Sequence, residues 1–140
     1  MKKTTQELLE LLNKTKDFDI YMRSTQEELV SSCVSDSLEQ LLLRQNISKS
    51  RCIEASGLDR TYAYQIFSGL KLPSRDKVLA LCLGMNLNLE EVQNFLRQNQ
   101  YPVLYPRAER DCAFIYAFQH SLSVMDLNEI LFEMNQPLVN

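Results

Sequence analysis

The sequence is poor in the two residues that interrupt helices, since its 140 residues include only three glycines and four prolines. The long stretches between them favour helices over β-sheet. No apolar run approaches the length of about 18 residues that a membrane-spanning helix needs. The polar N-terminus is also unlike a signal peptide. We therefore predict an all-α protein of one domain or one and a half, without a membrane segment.

Histidine and closely spaced cysteines are scarce as well. The chain has one histidine, and its four cysteines (Cys33, Cys52, Cys82 and Cys112) form no Cys-x-x-Cys pair, which argues against a zinc site. The last three fall in helical apolar patterns and are predicted to be small core residues, a usage that suits a reducing cytoplasm. There is no glycine-rich phosphate loop, and His120 is predicted at a helix end, where it complements the dipole. We predict neither enzymatic activity nor a cofactor.

Basic residues are concentrated in one stretch of a chain whose net charge is −3. Between residues 44 and 77, seven basic side chains oppose three acidic ones, so this stretch carries +4 and the remainder carries −7. A basic island in an acidic chain is typical of a single surface that faces nucleic acid. The alternative is a solvated helical face that happens to be basic.

Residues 47–74 carry the pattern of two short helices joined by a tight turn. Ser48 can cap the first helix, and Gly57 falls where the backbone must become left-handed. Asp59 can cap the second helix, which is predicted to run from Arg60 to about Ser68. This arrangement is the helix-turn-helix unit, whose second helix can enter the DNA major groove.

The segment resembles the helix-turn-helix of the Cro and phage-repressor (XRE) family over roughly residues 38–92. The matches, in chain order, are Ile47-Ser48-Lys49 for its Leu-Thr-Gln, Gly57-Leu58-Asp59 for its Gly-Val-Ser, Ile66 and Gly69 for its Ile-Glu-Asn-Gly, and Pro73-Ser74 for its Pro-Ser. Lys49 replaces a glutamine that often braces a phosphate, and Phe67 replaces an acidic residue. Ile53 stands where the family prefers alanine, so the two helices can cross differently.

This resemblance implies a sequence-specific transcriptional regulator that binds double-stranded DNA. Because one such unit buries too little DNA surface for tight specificity, we expect a homodimer. The cysteine usage predicts a cytoplasmic location. The alternative is a helix-turn-helix-derived protein–protein interaction module without DNA binding. Its support comes from the acidic overall charge, the aromatic residues of the second helix and the C-terminal hairpin described below.

The first half of the second helix is predicted to read bases, while flanking residues hold phosphates. Arg60 can present two donors to guanine, Gln65 can pair with adenine, and the methyl group of Thr61 can contact thymine. Tyr62 and Tyr64 are further base-contact candidates, although each can instead pack against the domain. The predicted phosphate contacts are Ser48, Lys49 and Arg51 on one side and Lys71, Ser74 and Arg75 on the other, with the helix start at Ser74 favouring an anion.

The helical pattern divides the chain into three parts. Residues 1–35 comprise a short helix over Thr5–Asn13, with Thr4 or Thr5 as its cap, and a linker with an extended segment at Phe18–Met22. Residues 36–98 form a five-helix repressor-like domain. Residues 99–140 form a connector and a helical hairpin packed on that domain. The N-terminal segment or the hairpin can also bind a protein partner.

Apolar spacing and caps define the helices of the middle domain. Asp36, Ser74 and Asn88 are predicted caps, and Glu91 completes a capping box with Asn88. The predicted inward-facing residues are Leu38, Leu41, Leu42, Ala63, Ile66, Val78, Leu81, Cys82, Val92, Phe95 and Leu96.

A spacing of 35 residues relates the C-terminal hairpin to the hairpin before it. The related residues are Arg75-Asp76, Leu87, Leu96 and Pro102 in one copy and Arg110-Asp111, Leu122, Leu131 and Pro137 in the other. Because identities are few, we infer a shared hairpin geometry rather than a duplication. Its apolar residues either extend the core or form a dimer interface; they are Phe114, Ile115, Ala117 and Phe118.

Overall fold

The structure, a computed structural model, describes residues 4–14 and 34–140. All regular secondary structure in these residues is helical, which confirms the predicted all-α class. By contact the chain separates into two compact units, Met1–Ser31 and Ser32–Asn140. The helices are α1 (Thr5–Lys14), α2 (Val34–Gln45), α3 (Lys49–Ser56), α4 (Arg60–Phe67), α5 (Arg75–Gly84), α6 (Leu89–Gln98), α7 (Glu109–Gln119) and α8 (Val124–Glu133).

In the N-terminal unit, the structure describes Thr4 and helix α1. The Thr4 hydroxyl accepts a hydrogen bond from the Glu7 amide at 3.1 Å, so Thr4 is the cap of this helix. Leu9 and Leu12 are exposed. The predicted extended segment at Phe18–Met22 and most of the predicted linker lie outside the described residues.

Helix α2 begins earlier than predicted. Val34 is already helical and is only 6% exposed, so the burial of an apolar side chain extends the helix toward the N-terminus. Asp36 therefore lies within the first turn, and its prediction as the cap is wrong. Its carboxylate still complements the positive end of the helix dipole from that position.

Short polar side chains begin the later helices. Asn88 and Glu91 form the predicted capping box at the start of α6. Ser123 caps α8 by accepting a hydrogen bond from the Asp126 amide at 3.1 Å. Ser74 precedes α5 as predicted, but its hydroxyl makes no capping hydrogen bond.

One hydrophobic core joins α2 to α8. All eleven inward-facing residues predicted for the middle domain are buried. Phe114, Ala117 and Phe118 of the C-terminal hairpin are buried in the same core, which agrees with the core-extension alternative. Helices α3 and α5 approach each other closely, since a Cβ on Gly84 would lie 2.6 Å from the Cys52 carbonyl oxygen.

The cysteines divide between core and surface. Cys52 and Cys82 are buried, as predicted, and burial raises the pKa of Cys52 to about 12. The core prediction is wrong for Cys112, which is exposed; its thiol donates to the Pro106 carbonyl at 3.0 Å. Cys33 lies outside the described residues.

The hairpins α5–α6 and α7–α8 share their geometry, as the 35-residue spacing predicted. Both turns use residues with positive φ at equivalent places, 61° at Asn86 and 53° at Ser121. The extended segments that follow are also held alike. The Gln93 side chain accepts from the Leu104 amide at 2.8 Å, and its equivalent Asn128 accepts from the Val139 amide at 2.9 Å.

Two arginine–aspartate pairs cross between these hairpins reciprocally. Arg75 donates to both carboxylate oxygens of Asp111, at 2.9 and 2.8 Å. Arg110 donates to the Asp76 carboxylate at 2.7 Å. Each arginine also donates to the carbonyl of the proline that follows its own hairpin. The two pairs therefore tie α5 to α7.

The two aspartates differ in their surroundings. The Asp111 side chain is 9% exposed, whereas that of Asp76 is 37% exposed. Burial raises the pKa of Asp111, but hydrogen bonds from Arg75 and the Tyr105 amide, with the charges of Arg75 and Arg110, outweigh it. The net result is a pKa below the usual range of a carboxyl group.

We expect Asp111→Asn to lower the free energy of unfolding by about 1.5–3 kcal/mol at pH 7, because it removes charge-assisted hydrogen bonds from the Arg75 guanidinium. The equivalent substitution Asp76→Asn, at a more exposed pair, should cost less than about 1 kcal/mol. Urea unfolding of both variants measures the difference. If both substitutions lowered the free energy of unfolding by the same amount, the Arg75–Asp111 pair would not stabilise the fold more than the Arg110–Asp76 pair does.

The same pair predicts a pH dependence. The lowered pKa of Asp111 contributes stability that is fully present above the unfolded pKa of about 3.9 and is lost as the pH falls through the folded pKa. Wild type should therefore lose more stability on acidification below about pH 4 than Asp111→Asn does. Unfolding curves at a series of pH values between about 2 and 5 measure this, and parallel profiles would contradict it.

Candidate nucleic-acid interface

The corner between α3 and α4 is built by local interactions that the sequence predicted. Ser48 caps the start of α3, and Gly57 ends that helix with a left-handed backbone of φ 72°. Leu58 is buried beneath the turn. Asp59 then caps α4 by accepting a hydrogen bond from the Tyr62 amide at 3.0 Å.

A distant residue braces this corner. The Asn140 side chain donates to the Ser56 carbonyl at 3.1 Å, and Asn128 of α8 donates to the Asn140 side-chain oxygen at 2.8 Å. A Cβ built on Gly57 would overlap the Asn140 amide. No local pattern links residue 140 to residue 56, so sequence reasoning did not find this contact.

Helix α4 presents a buried side and an exposed side. Ala63, Ile66 and Phe67 are between 0% and 4% exposed and face the core. The opposite side carries residues at positions i, i+1, i+4 and i+5, which form one continuous stripe on a helix. These residues are Arg60, Thr61, Tyr64 and Gln65, of which the first three are exposed and the last is half-buried.

The two tyrosines of α4 are placed differently. Tyr62 is half-buried and packs against the core. Tyr62 also lies near Tyr101, whose hydroxyl donates a hydrogen bond to the Pro73 carbonyl at 2.7 Å. Burial raises the pKa of Tyr101, and Tyr62 raises it by a smaller amount. Tyr64 is 39% exposed. Only Tyr64 therefore belongs to the exposed stripe.

The Arg60 side chain is oriented by two neighbours. Its Nη2 donates to the Ser50 hydroxyl at 2.8 Å, and its guanidinium carbon lies 6.0 Å from the centre of the Tyr64 ring. A shallow depression of about 520 Å³ lies alongside; its lining residues are Lys49, Thr61, Tyr64, Gln65 and Ser68.

The residues predicted to contact phosphates are not equally available. Ser48, Arg51, Lys71 and Ser74 are exposed. Lys49 is half-buried, forms an ion pair with Glu39 of α2 at 2.5 Å, and lies 5.3 Å from the Phe67 ring centre. The Glu39 carboxylate therefore offsets much of the charge that Lys49 could offer to a ligand.

Arg75 differs from the other predicted phosphate contacts. Each of its guanidinium nitrogens donates to the Asp111 carboxylate or to the carbonyls of Pro102 and Val103. Arg75 therefore ties the two hairpins together, and the Asp111 carboxylate neutralises its charge. The net charge of residues 44–77 did not predict these ion pairs, because the acidic partners of Arg75 and Lys49 lie outside that range.

A scan against protein-family models and searches of curated proteins and of solved structures found no match. The family resemblance therefore stays a prediction from the motif. Within residues 4–14 and 34–140, no group of three or more histidine, cysteine, aspartate or glutamate residues is placed to hold a metal ion. No helix in those ranges is long and apolar enough to cross a membrane.

We expect Gly57→Ala to lower the free energy of unfolding by about 1–3 kcal/mol, because alanine disfavours left-handed backbone and its Cβ would displace Asn140. When residue 140 is alanine, only the backbone strain at position 57 remains. Gly57→Ala should then lower the free energy of unfolding by less. Urea unfolding of the four proteins in this double-mutant cycle measures the coupling. Equal costs in both backgrounds would contradict the contact between Asn140 and the corner.

Proposed function

We propose that this protein is a sequence-specific, double-stranded DNA-binding transcriptional regulator whose α4 lies in the major groove. The observation that carries the proposal is the division of α4 into a buried side and an exposed stripe of polar side chains beside a fixed corner. The resemblance of residues 38–92 to the Cro and phage-repressor family supports the same function. Domain boundaries at residues 35 and 98 stay predictions.

The exposed stripe has the chemistry for reading bases. An arginine has five N–H donors, so the bond from Arg60 to Ser50 leaves donors for the O6 and N7 atoms of guanine. Gln65 offers both a donor and an acceptor, which suits adenine, and Thr61 offers a methyl group for thymine. Tyr64 adds one hydroxyl. Tyr62, which packs on the core, is not assigned to base contact.

Residues on both sides of the stripe are suited to phosphates. Arg51 with Ser48 lies at the start of α3, and Lys71 with Ser74 precedes α5. Because the Ser74 side chain makes no capping hydrogen bond to the first backbone amides of α5, that helix start favours an anion. Lys49 would have to exchange Glu39 for a phosphate, so we assign it a smaller contribution than Arg51.

We further propose that two copies bind one DNA site. A single unit of this size buries too little DNA surface for tight specificity. Two-fold pairing places two recognition helices about 34–36 Å apart, one turn of the double helix. Absence of enzymatic activity and a cytoplasmic location stay predictions from composition.

The second candidate is a protein-interaction module that keeps the helix-turn-helix without DNA binding. The observation in its favour is that the ion pairs of Lys49 and Arg75 leave fewer cations for phosphates than the sequence indicated. DNA binding should weaken steeply with salt, since each phosphate contact releases counterions. A protein partner bound through Tyr64 should be much less sensitive to salt.

We expect in-vitro selection from random duplexes to yield a defined site. Arg60→Ala should weaken binding to that site by about 1–3 kcal/mol and relax the preference at one base pair. Arg51→Ala and Lys71→Ala should weaken all sequences alike and reduce the slope of log K against log salt by about 1 each. Fluorescence anisotropy at several salt concentrations measures all three.

Arg97→Ala is the matched control, because Arg97 is exposed near the end of α6. Arg97→Ala should leave unchanged both the affinity for the selected DNA site and the slope of log K against log salt. The assignment of base reading to α4 is wrong if Arg60→Ala binds the selected site as wild type does. Failure to select any duplex sequence would instead favour the interaction module.

A further inference from the structure

Three large apolar side chains are exposed on the outer side of α8 and just after it. Met125 is 74% exposed, Phe132 75% and Leu138 48%. Met125 and Phe132 are two helical turns apart, about 10 Å. With Asn128, Glu129 and Glu133 they line a shallow depression of about 350 Å³. We call Met125, Glu129, Phe132, Glu133 and Leu138 together the α8 face.

The repeated hairpin provides an internal control for this face. Glu90 and Arg97 of α6 stand 35 residues before Met125 and Phe132, and both are exposed. The same helix geometry is therefore built with charged residues at these positions. The fold does not require large apolar side chains there, and a contiguous exposed apolar patch on a small protein points to an interaction.

The α8 face is held rigid by hydrogen bonds behind it. Asn128 accepts from the Val139 amide at 2.9 Å and donates to Asn140 at 2.8 Å. Val139 is buried at 2% exposure, directly after Leu138. The position of Leu138 is therefore set before any partner arrives, which reduces the entropy lost on binding.

In the preceding hairpin, a helix lies beside the residues that correspond to Glu129 and Glu133. Helix α2 lies across a groove of about 250 Å³ from α6, with Leu41 and Arg44 on its side of the groove. On the α6 side the lining residues include Asn94 and Gln98. Their equivalents on α8 are Glu129 and Glu133. Phe95, which also lines the groove, is only 3% exposed, whereas its equivalent on α8, Ile130, is half-buried. The side of α8 that corresponds to the α2-facing side of α6 is therefore less covered.

The negative charge of the α8 face indicates which kind of partner can bind there. Residues 121–140 contain Asp126, Glu129 and Glu133 but no lysine, arginine or histidine. Antiparallel pairing with α8 of a second copy would bring Glu129 against its own equivalent between the apolar anchors, which like-charge repulsion opposes. DNA and anionic lipid surfaces are repelled for the same reason. A basic helix is attracted.

We propose that the α8 face binds an amphipathic helix of a partner protein, with apolar residues two turns apart and lysine or arginine beside them. This is the helix-in-groove mode of recognition. The proposal does not rest on DNA binding, because none of these residues belongs to the proposed DNA interface. Failure of one proposal leaves the other standing.

The test uses a fluorescein-labelled, alanine-rich helical peptide with leucines two turns apart and flanking lysines, titrated with the full chain. The double substitution Met125→Glu/Phe132→Arg installs the residues of the equivalent α6 positions, which preserves helix and solubility. We expect it to weaken binding at least about tenfold. Glu129→Gln/Glu133→Gln should weaken binding less and reduce its salt dependence.

Leu43→Arg is the control for general stickiness, because Leu43 is 82% exposed on α2; it should bind the peptide as wild type does. A version of the peptide with glutamate in place of lysine should bind weakly. The proposal is overturned if wild type fails to bind the lysine peptide below about 1 mM, or if Met125→Glu/Phe132→Arg binds it equally well. Sedimentation equilibrium provides a third arm: if wild type is a dimer that Phe132→Arg converts to a monomer, the face serves a second copy instead.

Discussion

The left-handed backbone at Gly57 is the constraint on which the proposed interface depends. It sets the direction in which α4 leaves α3, and thereby decides which side of α4 enters the core. Because Ala63 and Ile66 are buried, Arg60 and its stripe must face outward. The C-terminal hairpin reinforces this corner, since α8 holds Asn140 against Ser56. Distant parts of the chain therefore help to fix the orientation of the stripe.

Local and periodic features were predictable from the sequence, while long-range pairings were not. The caps at Ser48, Asp59 and Asn88 depend on residues three positions away, and the core follows from helical spacing. By contrast, the partner of Arg75 lies 36 residues away, in the next hairpin. The early start of α2 likewise depends on the burial of Val34 by the tertiary fold. Periodicity placed Cys112 in the core, although its actual position is on the surface.

The two repeated hairpins show how one geometry can carry different surfaces. Their turns, their side-chain clamps on the following segments and their arginine–aspartate pairs correspond with a constant offset. Their outer faces differ: α6 exposes Glu90 and Arg97 at the positions where α8 exposes Met125 and Phe132. We propose that the polar stripe of α4 and the acidic, partly apolar α8 face serve two unlike partners, a DNA duplex and a basic helix.

The most direct test of the central claim is to map amide chemical-shift changes while the full chain is titrated with a selected DNA duplex. If α4 reads DNA, the changes should concentrate along Arg60–Ser68 and at the starts of α3 and α5, and residues of α8 should stay unchanged. Changes confined to α8, or none in α4 at saturating duplex, would contradict the assignment of α4 as the DNA-reading helix.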